Sequence, residues 1–203
     1  MISVTPARVS DLVPAAGILA EAFAQDPVMS SIVPGPTRRR DRLTDLFHAL
    51  LASGPYATGT VDLARDAEGT ILGVAAWEGP HSGQGSLARQ AAELPRFARA
   101  LGWLGMPRAV VLLSRLARHR PRAPHWYLAE IGVIDAARGS GVGKALLSAQ
   151  LDTLDTTRQT AYLESSTPDN RRLYRRLGFE EISPIEGVPG AQPVAMLRLP
   201  APR

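Results

Sequence analysis

The chain has 203 residues, enough for one domain that removes roughly 70% of its unfolded surface from water. Hydrophobic residues make up 45% and charged residues 21%, which excludes a disordered chain, a collagen-like chain and a membrane bundle, and no apolar run approaches the roughly 20 residues of a spanning helix. The formal charge is 23 − 19 = +4, and there is no cysteine, so disulfides, thiolate metal sites and cysteine nucleophiles are excluded.

His48, His81, His119 and His125 stand singly, without the paired spacing of a zinc site, and no metal is expected. Met1 to Pro6 lacks the basic start and apolar stretch of a secretory signal. A cytoplasmic location is the expectation.

Residues 2–8 alternate loosely and predict a first strand. Ser10 is the expected cap of a helix whose Leu12, Ala16, Leu19, Ala20 and Phe23 recur at helical spacing. Gln25 to Pro36 holds three prolines and a glycine and reads as a loop. A second helix is predicted over about 38–53. Residues 59–66 and 70–78 read as strands joined at Glu68-Gly69, with Gly79 to Gly83 ending the hairpin. From about 86 to 118 the apolar residues Leu94, Phe97, Leu101, Val110, Leu113 and Leu116 suit two amphipathic helices, broken near Gly102 to Pro107. His125 to Ile134 predicts a strand, residues 142–156 a helix, and Thr160 to Ser165 a strand. Asp169 to Leu177 predicts a short helix closed by Gly178. Phe179 to Ile185 and Pro193 to Leu199 predict closing strands. Strands alternating with helices in this order argue for an α/β sheet.

The cations are unevenly placed. Lys144 is the only lysine, and no acidic residue lies between Glu93 and Glu130, where Arg96, Arg99, Arg108, Arg115, Arg118, Arg120 and Arg122 fall. An anionic partner is one reading, and helices with solvated arginine faces are the other. Few aromatics interleave with these arginines, which argues against nucleic acid.

Arg138-Gly139-Ser140-Gly141-Val142-Gly143-Lys144 lies between a predicted strand and a predicted helix. A helix start carries unpaired N–H groups and partial positive charge, and glycines let a diphosphate approach the backbone. A P-loop fails here, because Arg138 stands at its first glycine and Ala145 at its hydroxyl position. The dinucleotide fingerprint fails too, with Lys144 or Leu146 where its third glycine belongs. The pattern Arg/Gln-x-x-Gly-x-Gly/Ala fits Arg138, Gly141 and Gly143 without a gap.

That loop resembles the acetyl-CoA pyrophosphate loop of the GNAT acetyltransferase superfamily. Asn170, Tyr174, Gly178 and Phe179 fit its second motif, Asn-x-x-x-Tyr-x-x-x-Gly-Phe, one helix and one strand downstream. His125-Trp126-Tyr127-Leu128 and the stretch Leu163 to Asn170 resemble the puromycin N-acetyltransferase branch. The likeness is close over about 121–182 and looser over 1–120. It implies an α/β (α+β) fold with a central mixed, mostly antiparallel sheet, helices on both faces, and strands diverging at the acetyl-CoA site. It implies a single N-acetyltransferase domain over 1–203, with a helical insert at 79–124 covering the acceptor.

By that resemblance the cofactor is acetyl-CoA. Ile131, Gly132 and Val133 would offer backbone groups to pantetheine, with the Ile131 N–H polarising the acetyl oxygen. Arg138, Gly139, Ser140, Gly141, Val142, Gly143 and Lys144 would wrap the diphosphate. Asn170 would contact the cofactor, and Tyr174 would protonate the departing sulfur. Glu164 and Glu130 are the two candidates for the base, and because strand side chains alternate, either can point elsewhere. Trp77, Trp103 and Trp126 either line the acceptor site or pack in the core. The expected activity is acetyl transfer to the amine of a small molecule by direct attack in a ternary complex, in a monomer or homodimer with no nucleic-acid or membrane partner. A protein or peptide N-acetyltransferase and a non-catalytic acyl-CoA-binding regulator are the alternatives.

Overall fold

The structure is a computed structural model that describes residues 1–82 and 86–201; Gly83, placed above at the hairpin's end, lies outside them. Seven strands form one sheet: β1 (Ser3–Pro6), β2 (Gly59–Arg65), β3 (Ile71–Glu78), β4 (Trp126–Val133), β5 (Ala161–Ser165), β6 (Glu180–Pro184) and β7 (Val194–Arg198). Their spatial order is β1-β2-β3-β4-β5-β7-β6. Every neighbouring pair is antiparallel except β4 and β5. The eight helices among the described residues are α1 (Leu12–Ala22), α2 (Pro27–Ile32), α3 (Arg39–Ser53), α4 (Pro55–Thr58), α5 (Ser86–Ala92), α6 (Leu94–Ala117), α7 (Val142–Thr156) and α8 (Pro168–Arg176). The mixed, mostly antiparallel sheet clothed by helices agrees with the fold class expected above.

The period of two along each strand divides the hydrophobic residues between two cores. Val61, Leu63, Val74, Ala76 and Tyr162 pack beneath α1 and α3 with Leu19, Leu43, Phe47 and Leu51. Ala75, Trp77 and Leu163 face the other way, onto Leu146, Leu147 and Leu154 of α7. Gly132 permits the close packing of α1 on β4, since a Cβ there would lie 2.8 Å from the Ala22 Cβ and 3.0 Å from Leu19 Cδ2.

Several expectations are corrected. Ser10 does not cap α1; it lies in a 3-10 turn, Val9–Asp11, and Asp11 accepts the Arg8 N–H at 2.9 Å. The proline-rich stretch 25–36 is not all loop, because α2 lies within it. Asp26 caps α2 by accepting the Met29 N–H at 2.9 Å, and Pro27 occupies the first helical position, where its missing N–H costs nothing. Helix α6 is broken at Gly102, with φ 65, as expected from the sequence. Phe97, Leu101 and Leu116 pack inward, whereas Leu94, Val110 and Leu113 are exposed. Trp103 neither fills a core nor lines the pocket described below; it is 82% exposed.

The arginines are not simply a solvated face. Arg99 makes a bidentate pair with Asp45 on α3 at 2.9 and 3.0 Å, and Arg96 pairs with Glu93 at 2.9 Å. Arg42 binds the Pro34 carbonyl at 3.0 Å and the Ala100 carbonyl at 2.9 Å, joining α3 to the broken helix. Arg39 likewise holds the Ala24 and Val33 carbonyls on either side of α2. These contacts fix α2 and α6 over the middle of the sheet.

Candidate active site

The site begins where two strands part. Strand β4 pairs with β5 only at Trp126↔Ala161 and Tyr127↔Tyr162. Beyond that point its edge faces a gap. Its other edge stays paired with β3, through a bulge at which Trp77 aligns with Leu128 and Ala76 with Glu130, leaving Ala129 as the extra residue. The Ile134 N–H bonds the Leu72 carbonyl at 3.0 Å. Counting back in twos, the amides of Gly132 and Glu130 face β3, and those of Ile131 and Val133 face the gap.

The glycine turn lies at the end of the same strand. Gly139 and Gly141 have φ of 77° and 90°, a region side chains disfavour, and a Cβ on either would project into open space. The N–H groups of Gly139, Gly141, Val142, Gly143 and Lys144 have no hydrogen-bond partner among the described residues; the first helical bond past the turn is from Ala145 to the Gly141 carbonyl, at 2.9 Å. Five free amides at a helix start form a site for an anion. Val142 is buried, Lys144 is exposed, and the Ser140 hydroxyl bonds the Ala137 carbonyl at 2.7 Å. Arg138 is exposed and pairs with Asp135 at 2.8 Å. A linear, strand-like ligand ending in phosphates fits this combination of an open strand edge and a bare amide cup.

Behind the gap is a cavity of about 100 Å³ that brings together Glu130, Ile131, Glu164, Asn170 and Tyr174. Asn170 and Tyr174 reach it from α8, four residues apart and on one helix face. Thr167 starts α8 by accepting the Asn170 N–H at 3.3 Å. Tyr174 is 5% exposed and stacks edge-on against Phe179, with ring centroids 5.9 Å apart. Its hydroxyl has no hydrogen-bond partner among the described residues, so no structural bond occupies it. Burial, followed by the Asp26 and Glu130 carboxylates, raises its pKa, and the phenol keeps its proton.

The two glutamates point to the same face of the sheet, but their surroundings differ. Glu164, with its side chain 6% exposed, accepts the Tyr127 hydroxyl at 2.7 Å and lies 3.6 Å from Arg120 Nε. Arg120 stacks on the Tyr127 ring, 3.6 Å from its centroid. Burial opposes the Arg120 charge, but Tyr127, Glu164 and Glu78 outweigh it, and the guanidinium stays protonated. Glu130 has no cation beside it among the described residues. Burial raises its pKa well above the ordinary carboxylate value, and Asp26, Glu78 and Glu164 raise it further. The shift makes the ionised form of this carboxyl a stronger proton acceptor than an ordinary carboxylate.

Asp26, Tyr127 and Arg120 were not singled out as site residues in the sequence. Asp26 was hidden in the proline-rich stretch; its place before Pro27 was the available signal. Arg120 was one of seven similar arginines, and nothing local marked it. Trp77 is fully buried in the α7 core, and Trp126 donates its indole N–H to Gln159.

Comparison with known proteins agrees with this geometry. A family model described as an acetyltransferase (GNAT) domain matches residues 109–181. A solved structure of a histone acetyltransferase and related acetyltransferase from Corynebacterium glutamicum is 32% identical, with a TM-score of 0.79, covering 100% of this chain and 98% of that one. An N-acetyltransferase from Staphylococcus aureus superposes with a TM-score of 0.64 at 14% identity, covering 96% and 99%. A ribosomal-protein alanine N-acetyltransferase from Escherichia coli gives 0.55 at 14%, covering 100% and 96%.

Proposed function

The chain belongs to the GNAT acetyltransferase family, and from that premise we propose that it is an acetyl-CoA-dependent N-acetyltransferase acting on a small amine by direct attack in a ternary complex. The single observation that carries this reading is the open edge of β4 running into five unpartnered amides at the start of α7. Acetyl-CoA, when bound, supplies an activated acyl thioester. Ile131 and Val133 would hold its pantetheine arm, with Gly132 between them, and Gly139, Gly141, Val142, Gly143 and Lys144 would hold its diphosphate. Arg138 and Ser140 flank that cup, and Asn170 faces the arm from α8.

The chain's own groups then divide the work. Glu130 takes a proton from the acceptor ammonium, which attacks only as the free amine. The Ile131 N–H, free toward the gap, would donate to the acyl oxygen, a contact worth about 3 kcal/mol in comparable sites. Tyr174 holds a proton at its hydroxyl for the departing sulfur. Glu164 is tied to Tyr127 and Arg120 and acts by holding the pocket floor. The overall balance is one ammonium and one thioester giving one amide, one thiol and one proton.

Two observations favour a small acceptor over a protein. The cavity is about 100 Å³, below the roughly 300 Å³ lower bound for drug-sized ligands. Helices α2 and α6 close over it, with Met29, Leu113 and Leu116 in its wall, and in this reading the 79–124 segment is the cover of the acceptor site. The likeness of residues 125–128 and 163–170 to the puromycin branch supports the same choice.

The test is thiol release from acetyl-CoA, screened over small amines, amino acids and peptides. Release with small amines and none with peptides is expected; release with peptides alone overturns the small-acceptor reading, and no release with any amine overturns the activity.

A further inference from the structure

The acceptor pocket is asymmetric in a way that narrows the substrate. Its wall on the α1, α2 and α6 side is apolar: Phe23, Met29, Ile32, Leu113 and Leu116. Its floor carries carboxyl groups from three elements, Asp26 ahead of α2, Glu130 on β4 and Glu164 on β5. Glu78 at the end of β3 adds to the negative field around Glu130. Tyr127 and Tyr174 are the remaining titratable groups on the lining, and Tyr174 keeps its proton. Among the described residues the one cation against this group is Arg120, and it is already engaged by Glu164 and the face of Tyr127.

We infer that the acceptor is an apolar primary monoamine without a carboxylate, such as an aralkyl- or branched alkylamine, whose ammonium enters between Asp26 and Glu130 while its hydrocarbon body lies against α2 and α6. The inference rests on the acetyltransferase reading above and adds the class of amine. An amino acid brings a carboxylate next to its amine, and in this pocket that charge would lie between Asp26 and Glu164, against a Glu130 already disfavoured as an anion, with no unengaged cation among the described residues on the lining to meet it. Like charges brought together in this way oppose binding. A diamine fails for the opposite reason, because its second ammonium would be desolvated against Met29, Ile32 and Leu116.

Matched acceptors test this directly: phenethylamine against phenylalanine, isopentylamine against leucine, and putrescine, each followed by thiol release at saturating acetyl-CoA. Both monoamines are expected to exceed their amino acids by about 100-fold or more in kcat/KM, with putrescine below either. Asp26→Asn keeps an acceptor for the Met29 N–H and removes one charge. It is expected to raise the KM for phenethylamine about 10-fold, leave the KM for acetyl-CoA within about twofold, and narrow the discrimination against phenylalanine. Equal or better turnover of the amino acids, or putrescine as the best substrate, overturns the inference and leaves the acetyltransferase reading standing. Acetyl-CoA bound in calorimetry with none of the five acceptors turned over also overturns it. Failure to bind acetyl-CoA at all overturns the parent reading instead.

Discussion

Tyr174 and Glu130 both meet the cavity with groups shifted to hold a proton, yet the chemistry asks opposite things of them. Tyr174→Phe removes the donor and keeps the ring that packs on Phe179. It is expected to lower kcat by about 100-fold or more, with acetyl-CoA affinity by calorimetry nearly unchanged. For Glu130 the sign of the linkage gives a second readout. A carboxyl whose pKa is higher folded than unfolded holds more protons in the native state, so stability is lost as pH rises from 4.5 toward the elevated native value. Glu130→Gln is therefore expected to lose most of its turnover and yet melt higher than the parent at pH 8, with the two melting points converging near pH 4. Equal melting curves at both pH values would show that Glu130 carries no such penalty. Tyr174 and Asn170 could be read from their spacing, since four residues on a helix define one face. The choice between Glu130 and Glu164 could not, because it depends on Arg120 and Tyr127 coming over Glu164, a contact between segments 44 residues apart in sequence at its widest (164 − 120).

Among elements, the turn before α7 and the stretch before α3 show what local pattern reveals. The turn was fully legible: glycines at 139 and 141 take φ 77° and 90°, and α7 starts at Val142. Gly141→Val sets a β-branched residue in the left-handed region, at a cost of about 1–2 kcal/mol, and puts its side chain into the cup. Calorimetry is expected to show acetyl-CoA affinity reduced at least about 10-fold, with the chain still folded by circular dichroism; parent-like affinity would remove the cup from the binding site. Helix α2 was not legible, because three prolines and a glycine between 25 and 36 read as loop. Pro27 in fact begins that helix, and the helix is held from outside by Arg39 on the Ala24 and Val33 carbonyls. Six residues are too few to be helical on propensity alone, so tertiary contacts decided the outcome.

Across the whole molecule, strands alternating with helices pointed to the α/β sheet, while its two cores emerge only in the structure and the splay of β4 from β5 lay beyond any period-two pattern. Along β4 the sequence reads as an uninterrupted strand; the divergence follows from the bulge at Ala129 and from what packs on either side. A ligand that bridges the parted strands binds only the folded chain. At about 100 times its Kd it adds roughly 2.7 kcal/mol of stability, and for a domain of this size that corresponds to a rise in melting temperature of about 5–10 °C. Thermal melting with coenzyme A is expected to show that rise, and pantetheine, which lacks the diphosphate, is expected to give little of it.

A sheet divided along its middle also has an interior seam of dangling peptide groups, an arrangement that at an outer rim invites other chains to add on. Here the seam is roofed by α2 and α6, so only a slender guest can reach it. Deuterium uptake would reveal this seam: the Ile131 and Val133 amides should label quickly in the free protein, while their neighbours Gly132 and Ile134, bonded toward β3, label slowly. Filling the seam with coenzyme A should slow the first pair and leave the second alone, as if the guest had become the eighth strand.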